Sequence, residues 1–95
     1  MRTREAVGTT RPRLGPHVRM RPDRASGGWV LLGPETVVVL NRTGHAVLER
    51  CDGERTVDDV VAELVALHGA DPATVDEQVR GYLTRLAARN LVALT

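Results

Sequence analysis

The spacing of apolar residues changes once along the chain, and this change constrains the fold more than any other feature of the sequence. Between residues 17 and 40 the apolar residues fall in short runs separated by turn residues, a pattern typical of β-strands. From residue 41 onward they recur every three or four positions, as on the buried side of amphipathic helices. A chain of 95 residues has room for one domain. Strands followed by helices therefore predict a single α+β fold.

Three strands are expected, over residues 17–21, 29–32 and 36–40. Val18 and Met20 alternate with polar neighbours in the first strand, and β-branched residues dominate the third. Pro22 is expected to end the first strand, and short segments rich in turn residues join the three. Because short connections favour antiparallel neighbours, we expect a three-stranded antiparallel sheet in chain order.

Three helices are expected after the strands, over residues 41–53, 56–69 and 71–90. Thr56 is suited to cap the second helix, and Gly69 to end it. Asp71 followed by Pro72 is a helix start of the same kind, and the apolar segment 91–94 is expected to pack back on the domain. The predicted fold is an N-terminal three-stranded antiparallel β-sheet followed by a three-helix bundle. Its order of elements is similar to a winged helix-turn-helix with the sheet moved to the front.

Charge is distributed unevenly along the chain. The first 24 residues are strongly basic and the remainder is acidic, although the net charge is only +1. Residues 1–12 have no hydrophobic periodicity, so we expect a flexible basic N-terminal arm there and a folded domain over 13–95.

A winged-helix DNA-binding protein is an alternative function. However, acidic residues such as Asp58 and Asp71 stand at the helix starts and would repel phosphates. Nucleic acid is therefore not an expected partner.

The composition argues against several classes of function. Cys51 is the only cysteine, and neither it nor the three histidines stands at a spacing typical of metal ligands or of a nucleophile with its base. We therefore expect no metal, no cofactor and no enzyme activity. No apolar run is long enough to span a bilayer, and the N-terminus lacks a secretory signal pattern. The expectation is a cytoplasmic protein without membrane contact.

The third predicted strand, 36–40, is the open edge of the sheet. It has no charge, Pro or Gly of the kind that protects edges, whereas the first strand carries Arg19 and Arg21 and is followed by Pro22. Its four consecutive apolar residues predict burial on both faces, one of them against a partner. That partner is an extended peptide that adds a strand or, alternatively, the N-terminal arm or a second copy of the chain in a homodimer.

Two short motifs stand out, Trp-x-Leu-Leu-x-Pro-Glu at 29–35 and Cys-Asp-Gly-x-Arg-Thr-Val at 51–57. Together with residues 17–24 and 40–48 they make the chain, from about residue 13 to residue 94, similar to the family of pyrroloquinoline quinone biosynthesis protein D (PqqD). Arg50 departs from the family pattern, in which an apolar residue is expected before the cysteine.

This resemblance implies a peptide chaperone and not an enzyme. Members of the family bind the precursor peptide PqqA and present it to PqqE, a radical S-adenosylmethionine enzyme that cross-links a Glu and a Tyr side chain. The resemblance places the precursor along the third strand, in a groove between that strand and the third helix. The peptide-binding residues it implies on this chain are Glu35, Thr36, Val37, Val38, Val39, Leu40, Val75, Val79, Tyr82, Leu83 and Leu86. A recognition element of another pathway for ribosomally made, modified peptides is the alternative, distinguished by its cognate precursor.

Overall fold

A three-stranded sheet packed on three helices accounts for most of the chain. The computed structural model describes residues 5–95. The elements in chain order are β1 (Pro12–Leu14), β2 (Arg19–Asp23), β3 (Gly28–Leu32), β4 (Val37–Leu40), α1 (Arg42–Leu48), α2 (Val57–His68), α3 (Pro72–Ala88) and β5 (Val92–Leu94). The predicted α+β fold, with the sheet ahead of the helices, is confirmed.

The main sheet is an antiparallel meander in the order β2-β3-β4, as predicted. Its first strand begins at Arg19, two residues later than expected, because His17 has a φ of 62° in the preceding turn. The strand also continues through Pro22, which was expected to end it. An edge strand tolerates proline because one side of its backbone needs no ladder hydrogen bond.

The two faces of this sheet have different surroundings. Leu31 and Leu40 on the inner face are buried in the core shared with the helices. On the outer face Val37 and Val39 are 66% and 67% exposed. Residues 5–95 themselves cover only the inner face of β4, so burial of its outer face requires the expected partner and stays a prediction.

The helices begin where their capping residues predict. The Thr56 hydroxyl accepts a hydrogen bond from the Asp59 N–H at 3.1 Å, and the Asp59 carboxylate accepts one from the Thr56 N–H at 2.9 Å. Asp71 accepts from the Thr74 N–H at 3.0 Å and begins α3. Gly69 ends α2 with a φ of 65°. The first helix differs from expectation, since α1 already ends at Leu48 and the residues up to 53 form a turn.

The two ends of the chain form a second small sheet that the sequence pattern did not predict. β1 pairs with β5 in an antiparallel ladder that places Pro12 opposite Leu94. Each strand has three residues, which is too short to show a hydrophobic alternation. The apolar segment after α3 thus packs back, as expected, but as a strand.

Residues 5–12 pack against the domain, which differs from the flexible arm expected over 1–12; residues 1–4 of that arm lie outside the described residues. The first N–H groups of a helix have no partner within the helix. The Val57 N–H donates to the Thr10 carbonyl at 2.8 Å, and the Asp58 N–H donates to the Gly8 carbonyl at 3.0 Å. The Ala6 N–H donates to Thr84 Oγ1 at 3.1 Å. The segment therefore caps α2 and contacts α3.

Candidate functional site

The free side of β4 is the first part of the site. β4 lies at the edge of the β2-β3-β4 sheet, so one side of its backbone has no neighbouring strand among residues 5–95. None of its four residues is charged, and none is proline. Because unprotected edges of this kind readily pair with another extended chain, β4 is a ready template for strand addition.

The hairpin between β3 and β4 decides which backbone groups face the free side. The Gly33 N–H donates to the Thr36 carbonyl at 2.8 Å, which closes a two-residue turn. Directly opposed pairs in an antiparallel ladder alternate between hydrogen-bonded and non-bonded. Val38 therefore bonds to β3, whereas the N–H and C=O groups of Val37 and Val39 point to the open edge. An added strand would meet two donors and two acceptors there.

A groove between the helices is the second part of the site. It has a volume of about 880 Å³ and lies between α1, the end of α2 and α3. No β4 residue lines it, so it differs from the groove between the third strand and the third helix that the resemblance implied. Asn41, one of its lining residues, directly follows the last residue of β4, so the groove adjoins the C-terminal end of that strand. The residues that α3 contributes to it are Val75, Gln78, Val79, Tyr82 and Arg85.

Tyr82 lies closely against α1. A Cβ atom added to Gly44 would stand 2.6 Å from Tyr82 Oη, so only glycine leaves room for the phenol at this crossing. Burial raises the pKa of Tyr82 above its usual value. The hydroxyl therefore stays protonated at neutral pH and can donate a hydrogen bond into the groove.

The charge of the groove is positive. Besides Tyr82, its charged and titratable lining residues are Arg42, Arg50 and Arg85, together with His45, His68 and a single carboxylate, Glu49. Arg50 is tied to its surroundings: Nη1 donates to Glu49 Oε1 at 3.0 Å, and Nε lies 3.3 Å from a Glu63 oxygen. Arg42 and Arg85 form no ion pair with residues 5–95. The groove is thus suited to carboxylate groups.

The residues expected on the strand side divide between the edge and the core. Glu35 is exposed in the hairpin turn and Thr36 is half-buried. Val37 and Val39 present both backbone groups and side chains outward, whereas Val38 and Leu40 turn their side chains toward the core. Only alternate residues of the expected set can therefore contact a partner with their side chains.

The residues expected on α3 divide in the same way. Val75, Val79 and Tyr82 line the groove. Leu83 and Leu86 are 0% and 4% exposed, and they belong to the core rather than to the groove. The groove and core stripes of α3 lie side by side and share Val79, so a hydrophobic spacing alone does not separate them.

α1 supplies groove residues that were not predicted as site residues. Its Arg42 and Gly44 line the groove, and His45 stacks on Trp29 with ring centroids 4.4 Å apart. The segment 40–48 had been noted for its resemblance to the family, but its short helix gave no sign of facing α3. That approach depends on the contact of Gly44 with Tyr82, which joins residues far apart in sequence.

The Cys-Asp-Gly-x-Arg-Thr-Val motif is structural. The Asp52 carboxylate accepts hydrogen bonds from the Glu54 and Arg55 N–H groups at 2.9 and 2.8 Å. Arg55 Nε donates to Glu63 at 2.7 Å and so ties this turn to α2. Burial raises the pKa of Cys51 to about 12, so its thiol is not a nucleophile at neutral pH.

Other kinds of site find no support among residues 5–95. They contain no group of three or more His, Cys, Asp or Glu side chains arranged to hold a metal ion. Nor do they contain a helix with the length and apolar character needed to cross a membrane.

Comparison with known sequences identifies a common set of relatives. A family model for coenzyme PQQ synthesis protein D (PqqD) matches residues 28–92. A PqqA binding protein of Xanthomonas axonopodis pv. citri is 38% identical over 85 residues, which cover 90% of this chain and 92% of the relative. A PqqA binding protein of Rhodopseudomonas palustris strain TIE-1 is 32% identical over 84 residues, covering 88% and 82% of the two chains.

Two solved structures share the fold. One is the solution structure of the PqqD portion of Methylobacterium extorquens PqqCD, described as a functional, stand-alone recognition element for ribosomally synthesised and modified peptides. It matches with a TM-score of 0.80 and 32% identity over 93% of this chain and 94% of the other. The crystal structure of PqqD from Xanthomonas campestris matches with a TM-score of 0.56 and 35% identity over 76% and 80%.

Proposed function

The chain belongs to the PqqD family of coenzyme PQQ synthesis proteins, and we propose that it is a peptide chaperone that binds a PqqA-type precursor by strand addition at β4. The observation that carries this proposal is the open edge of β4, where the backbone groups of Val37 and Val39 point away from β3. The relatives named as PqqA binding proteins support the choice of peptide.

Binding would use the edge and the groove in succession. A precursor segment paired with β4 forms backbone hydrogen bonds at Val37 and Val39, which are independent of its sequence. Where it passes Asn41 it enters the groove. There Tyr82 and the two arginines that form no ion pair within residues 5–95, Arg42 and Arg85, select for side chains with carboxylates. These contacts offset the cost of ordering a flexible peptide, about 2–5 kcal/mol or more.

The bound precursor would then be presented to a PqqE-type radical S-adenosylmethionine enzyme. The chaperone needs no catalytic group for this role. Without a chaperone the enzyme would have to capture a flexible peptide from solution. The chaperone holds the peptide extended and brings it to the enzyme in one orientation. The protonated Cys51 and the structural use of the motif at 51–57 agree with a protein that does not itself catalyse a reaction.

Amide hydrogen exchange on the isotope-labelled protein tests the proposal. A saturating PqqA-type peptide should slow exchange at Val37 and Val39 strongly, because the peptide gives these N–H groups acceptors. Val38 should change little, since its N–H already bonds to β3. Amide shifts should also appear at Val75 and Tyr82.

Two results would contradict this assignment. Unchanged exchange at Val37 and Val39 under saturating peptide would exclude strand addition at β4. Tighter binding of a precursor from another modified-peptide pathway than of the PqqA-type peptide would assign the chain to that pathway instead.

A further inference from the structure

The outer face of the β2-β3-β4 sheet carries an ordered array of side chains. The strand register places Arg19, Leu32 and Val37 in one row across the sheet, and Arg21, Val30 and Val39 in the next. The two β4 valines are 66% and 67% exposed, and the two β3 residues are half-buried. The outer face, defined by these six residues, is therefore apolar over two strands and basic along the third.

The basic border, Arg19 and Arg21, takes part in no ion pair within the described chain. Both residues are exposed. Asp23 lies on the same face but is engaged in the β2–β3 turn, where it accepts hydrogen bonds from the Ser26 hydroxyl at 2.7 Å and the Ala25 N–H at 3.2 Å. A surface complementary to the outer face would be apolar with carboxylates at one border.

This charge pattern disfavours a second copy of the chain as the occupant. Two outer faces stacked about a two-fold axis would bring Arg19 and Arg21 of both copies into one interface. Among the described residues Asp23 is the only acid on each face, and it cannot balance the two arginines, so each face keeps a net positive charge. Like charges in a desolvated interface oppose association, so a different protein with acidic groups fits better.

The outer face is also continuous with the proposed peptide site. A peptide strand added at β4 becomes the fourth strand of the same sheet, and alternate side chains of a strand point to the same face. Every second side chain of the peptide would then stand beside Val37 and Val39. A protein that docks on the outer face would therefore meet the bound peptide at the border of its own contact surface.

We propose that the outer face is the surface on which the peptide-modifying enzyme docks, through an apolar patch of the enzyme bordered by carboxylates. This inference rests on the proposed function, because it takes the occupant of the β4 edge to be a peptide substrate. It assigns the edge and the groove to the peptide and the outer face to the enzyme.

A charge-reversed variant, Arg19→Glu with Arg21→Glu, tests the inference. Both residues lie on β2, which is the edge strand at the far end of the sheet from β4. Affinity for the PqqA-type peptide should stay within about twofold of the wild type, whereas affinity for the PqqE-type enzyme should fall by about tenfold or more. A double variant of Arg24→Glu and Arg89→Glu makes the same change of net charge away from the outer face, and should retain enzyme binding.

Calorimetry measures the affinity for the peptide, and binding to surface-immobilised enzyme measures the affinity for the enzyme. The two proposals can therefore fail independently. Unchanged enzyme affinity in the Arg19→Glu, Arg21→Glu variant would overturn the docking surface. So would a wild-type dimer that dissociates in this variant, because a second copy would then occupy the face. A wild type that binds the enzyme but not the peptide would overturn the proposed function.

A Val30→Thr variant tests the apolar part of the outer face. It adds a hydroxyl there without changing charge, and it should weaken binding of the enzyme but not of the peptide.

Discussion

Asp52 and Asp59 stabilise the fold through their negative charge. Hydrogen bonds from the backbone N–H groups of Arg55 and Glu54 hold the pKa of Asp52 below its ordinary value of 3.8. Hydrogen bonds from the Thr56 N–H and hydroxyl lower the pKa of Asp59. A carboxyl group whose pKa is lower in the folded state contributes stability above its unfolded pKa, and this contribution is lost as the pH falls through the folded value.

We therefore predict that Asp52→Asn lowers the free energy of unfolding at pH 7 and has a smaller effect below pH 3.8, vanishing when Asp52 is protonated in both states. Urea denaturation of both proteins from pH 7 to pH 2 measures the difference. Glu35→Gln, an exposed turn residue without a hydrogen bond in the described chain, is the control. A constant difference between wild type and Asp52→Asn down to pH 2 would contradict the role of the charge.

Cys51 supplies a second prediction at this scale. Because burial raises the pKa of its thiol to about 12, the native protein should react with a maleimide at pH 7 far more slowly than the same protein in denaturant. Mass spectrometry of samples quenched over time measures both rates. Equal rates would mean that the end of α1 opens readily to solvent.

Single residues were predictable where their effect is local. Thr56 and Asp71 were predicted as caps because a capping side chain bonds to the backbone only a few residues away. The orientation of Leu83 was not predicted. It depends on which neighbours α3 meets, and the helix presents adjoining apolar stripes to the groove and the core.

At the scale of elements, the alternation of β4 gives a matched pair of variants. Val39→Pro removes an N–H that points to the open edge, so the fold should persist while peptide affinity falls by about threefold to tenfold, the net contribution of one hydrogen bond. Val38→Pro removes an N–H that bonds to β3 and should lower the free energy of unfolding.

Circular dichroism and peptide titration compare the two variants. Val39→Ala, which shortens the same side chain but keeps the N–H, separates the loss of side-chain contact from that of the hydrogen bond. The reverse outcome, an unstable Val39→Pro and a stable Val38→Pro, would mean that the Val38 N–H faces the open edge and the Val39 N–H bonds to β3.

Elements were predictable in proportion to their length and regularity. β4 was found because β-branched residues fill it, and α2 and α3 because each combines a cap with a long apolar stripe. β1 and β5 were missed because three residues show no period and their pairing joins opposite ends of the chain. The end of α1 was misplaced because Gly53, with a φ of 81°, serves the following turn instead of the helix.

At the scale of the whole molecule, residues 5–10 contribute to the stability of the domain. They supply the hydrogen-bond partners of two N–H groups at the start of α2, and they bury Ala6 against the core. Deletion of residues 1–10 should lower the free energy of unfolding by about 2–4 kcal/mol, the net value of three hydrogen bonds with some apolar burial.

Thermal and urea unfolding of the truncated protein measure this loss. Thr9→Ala alters an exposed side chain of the same segment and should have little effect. A truncated protein as stable as the wild type would show that solvent replaces the segment as the cap of α2.

The resemblance implied a groove between the third strand and the third helix, but the position of the observed groove between the helices could not be predicted because it belongs to no single element. It exists because Gly44 lets α1 approach Tyr82 on α3, and the sequence does not record which helices cross. The open edge was predictable, by contrast. When consecutive strands are joined by hairpins, they pair in chain order, and the last strand of the series lies at the edge of the sheet.

The pairing of β1 with β5 has a mechanical consequence. Pro12 and Leu94 are partners at one end of the ladder, next to the two points where the chain leaves it. A force that pulls the termini apart therefore loads the hydrogen bonds one after another, as in a zipper, and not all together in shear. An unfoldase that seizes the C-terminus therefore meets little resistance at this first step, whereas a pull on the N-terminus first loads the hydrogen bonds of residues 6–10 to α2 and α3. The meander that carries the β4 edge lies inside the ring closed by this ladder, so it is not stretched until the ladder has parted.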